Sequence, residues 1–182
     1  MKYVALLRGI NIGKKQVKME ILRSVMEDAG YTNVKTLLAS GNVIFETTEK
    51  DLAKIKNHLE EEYLKTFGFA IPVILQTKEE IESLVNKDPF KGISVTKETR
   101  LYVTFRSDEK AKRKQGNLTI PYATDDNNFR ILSVTDNEIC SILLVTPDRR
   151  SVDLMNTIEK EYGKDVTTRN WNTVEKIDVL TA

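Results

Sequence analysis

Tyr3-Val4-Ala5-Leu6-Leu7 is apolar at every position and is cut off by Arg8 and Gly9. A strand with one wet face alternates polar and apolar residues, so a short run with no polar position predicts a strand covered on both faces. The run is too short to cross a bilayer or to form the apolar core of a secretory leader. The cytoplasm is therefore the expected compartment, with no membrane partner. The 182 residues are 40% hydrophobic, which supplies the core that such a sheet requires.

The segments after this run follow a definite order. Residues 8–15 form a loop punctuated by Gly9 and Gly13. Val17, Ile21, Leu22, Val25, Met26 and Ala29 then recur at helical spacing, and Gly30 is a natural stop. Apolar runs at 34–38 and 43–45 flank Ala39-Ser40-Gly41-Asn42, which signals a hairpin. Thr48 and Asp51 predict the cap of a helix whose stripe is Leu52, Ile55, Leu59, Tyr63 and Phe67. Residues 71–75 read as a strand, and Pro72 near its start suits a sheet edge. Thr77-Lys78-Glu79-Glu80 has the form of a capping box and opens a short helix that stops before Pro89. The order is β-α-β-β-α-β-α, and its first six elements are in ferredoxin-like order.

The second half repeats the plan. Leu101, Val103 and Phe105 alternate on a strand, and Ser107 is placed to cap a short charged helix ending at Gly116. Residues 129–134 and 138–145 pair around Thr135-Asp136-Asn137. Ser151 is placed to cap a helix carrying Val152, Met155, Ile158 and Tyr162, stopped at Gly163. Residues 166–168 read as a last strand, and Asn170 onward reads helical. A further strand near 118–122 does not fit the plan. The expected class is α+β, with two tandem ferredoxin-like (βαββαβ) halves, each with an antiparallel sheet and an extra helix. Their expected bounds are 1–87 and 98–182, joined by a linker at 88–97.

This topology has a consequence for chemistry. The first strand ends where the first helix begins, and the hairpin turn lies at that same end of the sheet. Residues 8–15 and 40–42 are therefore expected on one rim, beside a helix start whose N–H groups attract anions. Arg8 offers a planar fork of donors, Lys14 and Lys15 offer point charges, and Asn11, Ser40 and Asn42 offer neutral hydrogen bonds. Gly13 would let a ligand approach the backbone. The same residues are also common turn formers, and that structural reading stands beside the functional one. The loop is not a phosphate-binding Walker loop, whose glycine spacing and hydroxyl it lacks, nor is it a dinucleotide fingerprint.

A second cluster is Thr167-Thr168-Arg169-Asn170-Trp171-Asn172-Thr173. Thr168 or Asn170 would cap the last helix and Trp171 would anchor it. A cap does not explain Arg169. Arg169 and Asn170 are therefore expected as ligand contacts that close the rim from the second half.

Other conspicuous residues have plain readings. Lys110, Lys112, Arg113 and Lys114 read as a solvated helix face, without the aromatic interleaving of a nucleic-acid patch. Net charge is +1, so no overall field draws the chain to nucleic acid or anionic lipid. Cys140 lies in an apolar run as a buried strand residue, and His58 lies on a charged helix face. One cysteine and one histidine do not make the usual zinc sites or a disulfide framework, so no metal is expected.

The segments 5–13, 19–23, 40–45 and 168–176 together closely resemble a bacterial family called domain of unknown function 1697. The most distinctive are Leu7-Arg8-Gly9-Ile10-Asn11-Ile12-Gly13, Ser40-Gly41-Asn42-Val43 and Thr168-Arg169-Asn170-Trp171-Asn172. The resemblance spans nearly the whole chain. It implies no particular reaction, substrate or cofactor. The family often carries a second glycine after Gly13, where this chain has Lys14, a bulkier residue that narrows access to the backbone.

The leading expectation is binding, with or without turnover, of a small phosphorylated, nucleotide-like or carboxylate ligand at the rim. No side chain stands out as nucleophile or general base, so no catalytic residue is named and the cofactor is unknown. The alternative is a nucleic-acid or protein interaction module without catalysis. Nucleic acid is the weaker partner, because the RNP1 pattern is absent and the first and third strands supply only Tyr3 and Phe45 as aromatics. A purely structural dimeric domain is a third reading.

Overall fold

The computed structural model describes residues 1–110, 113–148 and 150–182. Its elements are β1 (Lys2–Leu7), α1 (Met19–Asp28), β2 (Thr32–Leu37), β3 (Asn42–Glu46), α2 (Leu52–Phe67), β4 (Val73–Thr77), α3 (Lys78–Lys87), β5 (Thr99–Arg106), β6 (Tyr122–Ala123), β7 (Phe129–Val134), β8 (Glu138–Leu144), α4 (Ser151–Tyr162), β9 (Val166–Asn170) and α5 (Trp171–Thr181). The protein is a mixed α and β structure with two antiparallel sheets. Chain contacts divide it into one unit of Met1–Ser83 with Lys176–Ala182 and a second of Leu84–Glu175.

In the first unit the strand order is β2-β3-β1-β4. β1 lies between β3 and β4, antiparallel to both, with Ala5 opposite Val43 on one side and Leu75 on the other. Tyr3, Ala5, Leu7, Val43, Phe45, Val73 and Leu75 share a core with Leu22 and Met26 of α1 and Ile55, Leu59 and Tyr63 of α2. Val4, Leu6, Ile44 and Ile74, on the opposite face, are also buried. β1 therefore has no wet face, as its unbroken apolar run requires.

Local signals account for the helix ends. Asp51 Oδ1 accepts from the N–H of Ala53 and Lys54 at 3.0 and 3.2 Å and caps α2, and Gly68 closes α2 in the left-handed conformation. The box at the start of α3 is reciprocal. Glu80 N donates to Thr77 Oγ1 at 3.1 Å, and Thr77 N donates to Glu80 Oε2 at 2.8 Å.

In the second unit the order is β6-β7-β8-β5-β9. Phe129, Ile131, Ile139 and Leu143 pack with Leu154, Ile158 and Tyr162 of α4. Three local expectations are corrected here. Residues 113–116 are not helical, and Ala111 and Lys112, on which part of that predicted helix falls, lie outside the described residues. Ser107 Oγ accepts from Glu109 N at 3.2 Å. Arg113 turns inward instead of joining a solvated face. Arg113 Nε donates to Ser107 O at 2.8 Å, and Nη1 lies 3.8 Å from Asp136 Oδ2. The extra strand near 118–122 is reduced to the two residues of β6. The start of α4 is fastened by Asp153, whose Oδ2 accepts from Arg150 N at 2.8 Å, with Ser151 as the first helical residue.

Candidate functional site

The rim of the first unit is built from three chain segments. Leu7 N donates to Gly41 O at 2.8 Å, and Arg8 N donates to Pro72 O at 3.0 Å, so the end of β1 is held on both sides. The loop then turns back on itself, with Asn11 N donating to Lys15 O at 2.6 Å. Asn11 sits at φ 54°, a conformation that asparagine tolerates better than most residues.

The Asn11 side chain joins the loop to the hairpin. Its Nδ2 donates to Ala39 O at 2.7 Å and to Val17 O at 3.1 Å, and its Oδ1 accepts from Val17 N at 2.8 Å. Asn42 is completely buried, and its Nδ2 donates to Leu37 O at 2.7 Å and to Ser40 Oγ at 3.1 Å. Both amides thus donate to backbone carbonyls of the rim, Asn42 from a fully buried position and Asn11 from a half-buried one.

The outer part of the rim is different. Lys14 and Ser40 are exposed and Arg8 is half-buried. Gly9 and Gly13, at φ 69° and 59°, have open space where a Cβ would stand. Lys15 Nζ lies over the Phe69 ring, 5.6 Å from its centroid. α1 begins at Met19 with Lys18 as its N-cap and no side-chain hydrogen bond there, although Glu20 places one negative charge in the first turn.

Arg169 and Asn170 belong to β9 in the second unit. Arg169 Nη1 donates to Thr167 Oγ1 at 2.8 Å and to Thr168 O at 2.9 Å. Burial pushes its guanidinium down to about 10, so it is still charged at neutral pH. Asn170 is exposed and lines a cleft of about 720 Å³ with Trp171, Asn172, Lys91 and Arg100. The sequence signalled only the Trp171 end of that cleft, because 88–97 read as a joint.

Cys140 and His58 are embedded differently. Cys140 is buried in β8, and burial pushes its thiol up to about 11. His58 is exposed on α2, yet its Nδ1 lies 3.1 Å from Tyr31 Oη. Nothing in sequence links residues 27 positions apart. Among the described residues, no group of three His, Cys, Asp or Glu side chains is arranged to hold a metal ion. Nor is any described helix long and apolar enough to cross a membrane.

Residues 1–134 match the family described as "Protein of unknown function (DUF1697)". The chain belongs to this family. In fold, this DUF1697 member is similar to the conserved bacterial protein SP0830 from Streptococcus pneumoniae, with a TM-score of 0.69 and 19% sequence identity. The likeness covers 100% of this chain and 98% of that one. Among curated proteins there is no match.

Proposed function

We propose that this DUF1697 protein binds a small phosphorylated or carboxylate ligand at the rim formed by residues 8–15 and 40–42. The observation that carries the reading is the Asn11 Nδ2 bond to Ala39 O at 2.7 Å, which fastens the glycine-rich loop to the hairpin turn. In this reading Asn11 and Asn42 are scaffold. Arg8 and Lys14 supply charge, Ser40 supplies a hydroxyl, and the backbone at Gly9 and Gly13 admits close approach. Arg169 is buried in β9 of the second unit.

The strand orders β2-β3-β1-β4 and, apart from β6, β7-β8-β5-β9 support a common βαββαβ plan for two halves joined at 88–97. The second half lacks an α-helix at its first crossover position among the described residues. We assign the protein to the cytoplasm on its composition. An RNA platform is disfavoured, because Tyr3 and Phe45, which would have to stack bases, are 1% and 0% exposed.

The test is calorimetric titration with inorganic phosphate, a sugar phosphate and a dicarboxylate. A charge-assisted hydrogen bond is worth roughly 1.5–3 kcal/mol, so Arg8→Ala and Lys14→Ala should each weaken binding about tenfold or more. If Arg8→Ala and Lys14→Ala both bind as tightly as the parent, the rim is only a pair of turns.

A further inference from the structure

The cleft of the second unit has a chemistry unlike that of the rim. Its volume is about 720 Å³, within the range of small-molecule sites. Trp171, which lines it, is 7% exposed and packs edge-on against Phe90 at 5.2 Å, so this wall is rigid and apolar. Arg100 is held to its own turn by Nη1 bonds to Lys97 O at 2.6 Å and Thr99 O at 3.0 Å, which fixes the fork in place.

The charged residues of the lining are Lys91, Arg100, Asp88 and Glu175. Two cations and two carboxylates sum to no net charge. A polyanion would meet both carboxylates and a polycation both cations, at a cost in either case. The lining instead complements a molecule that carries one charge of each sign.

We propose that this cleft binds a small zwitterion, a free amino acid or short peptide with both ends charged. Its carboxylate is taken by Arg100 or Lys91, its ammonium by Asp88 or Glu175, and its apolar part lies against Trp171. The proposal is independent of the rim, which lies in the other unit.

Trp171 is the only tryptophan in the chain, so its fluorescence reports on this cleft alone. The full-length protein is titrated with a mixture of the free amino acids and, separately, with glycyl dipeptides bearing free termini. A saturable change in Trp171 emission is expected with at least one of the two sets, and the set that responds identifies the source. N-acetylated and C-amidated forms should each bind at least tenfold more weakly. Arg100→Gln and Glu175→Gln should do the same, while Lys50→Gln, at an exposed position of the first unit, leaves the response unchanged. Should Arg100→Gln fold poorly, Lys91→Gln, at an exposed position, replaces it. No saturable change with either set overturns the proposal. So does equal binding of the blocked forms, or an affinity that neither charge substitution alters.

Discussion

A Cβ added to Gly41 would stand 2.6 Å from Ile10 Cδ1 and 2.8 Å from Leu7 Cβ. The hairpin turn and the loop after β1 therefore touch where glycine alone fits, and Gly41 also needs φ +79°. Gly41→Ala should destabilise the protein by about 2–4 kcal/mol, adding a steric term to the left-handed backbone cost of roughly 1–2 kcal/mol. Gly13→Ala, at φ +59° with open space around the site, should show only the backbone cost. Urea unfolding midpoints of the two variants compare them directly. Equal losses would mean that the contact with Ile10 relaxes freely.

Asn11 separates backbone strain from hydrogen bonding. Asn11→Gly keeps a residue suited to φ 54° but loses the bonds to Ala39 O, Val17 O and Val17 N. A loss of about 1–3 kcal/mol is expected. Asn11→Asp should cost more, because it sets a carboxylate against two carbonyl oxygens that now receive N–H bonds. Chemical denaturation gives both values, and an Asp variant as stable as the Gly variant would contradict this account.

Alkaline pH should weaken the fold. The Cys140 thiol rises from 9.0 to about 11 and the Tyr31 hydroxyl from 10.0 to about 12, in both cases chiefly through burial. Well below pH 9 both groups keep their protons whether folded or unfolded. Between about pH 9 and 12 the unfolded chain releases protons that the folded chain retains, so stability falls as pH rises. Urea midpoints at pH 8 and pH 10.5 should show the loss, and Tyr31→Phe should reduce it. A midpoint independent of pH across this range would refute the linkage.

The same burial makes Cys140 slow to react. At pH 8 a disulfide reagent should label it no faster than the protein opens, and rapidly only in denaturant. Rapid labelling of the native protein would show that β8 opens locally.

His58 is held by Tyr31, and its loss should be small but measurable. His58→Ala removes the 3.1 Å partner of a Tyr31 hydroxyl at a partly buried position, a cost of about 1 kcal/mol. Tyr31→Phe removes the other side of the same bond. In the double variant the losses should be less than additive, which a mutant cycle measures.

What the sequence determined by itself was chiefly local. The unbroken run of Tyr3 to Leu7, the Asp51 cap and the Thr77–Glu80 box each involve residues within a few positions of one another. Their energetics are settled before distant segments meet. The hairpin at Ser40-Gly41-Asn42 and the core of α2 were legible for the same reason. Tertiary structure decided which polar groups hold the fold and which face outward. Asn11 and Asn42 look alike as ligand donors in sequence. Yet Asn11 is committed to Ala39, 28 positions away, and Asn42 is drawn inside beside Leu37 and Ser40. Arg113 left its predicted helix face, with Nε donating to Ser107 O and Nη1 3.8 Å from Asp136 Oδ2. The cleft at Trp171 depends on Lys91 and Arg100 meeting residues about seventy to eighty positions later in the chain. Hydrogen bonds and cavities between distant segments exist only once the chain has paid the entropy of bringing them together, and no local pattern records which partners will meet.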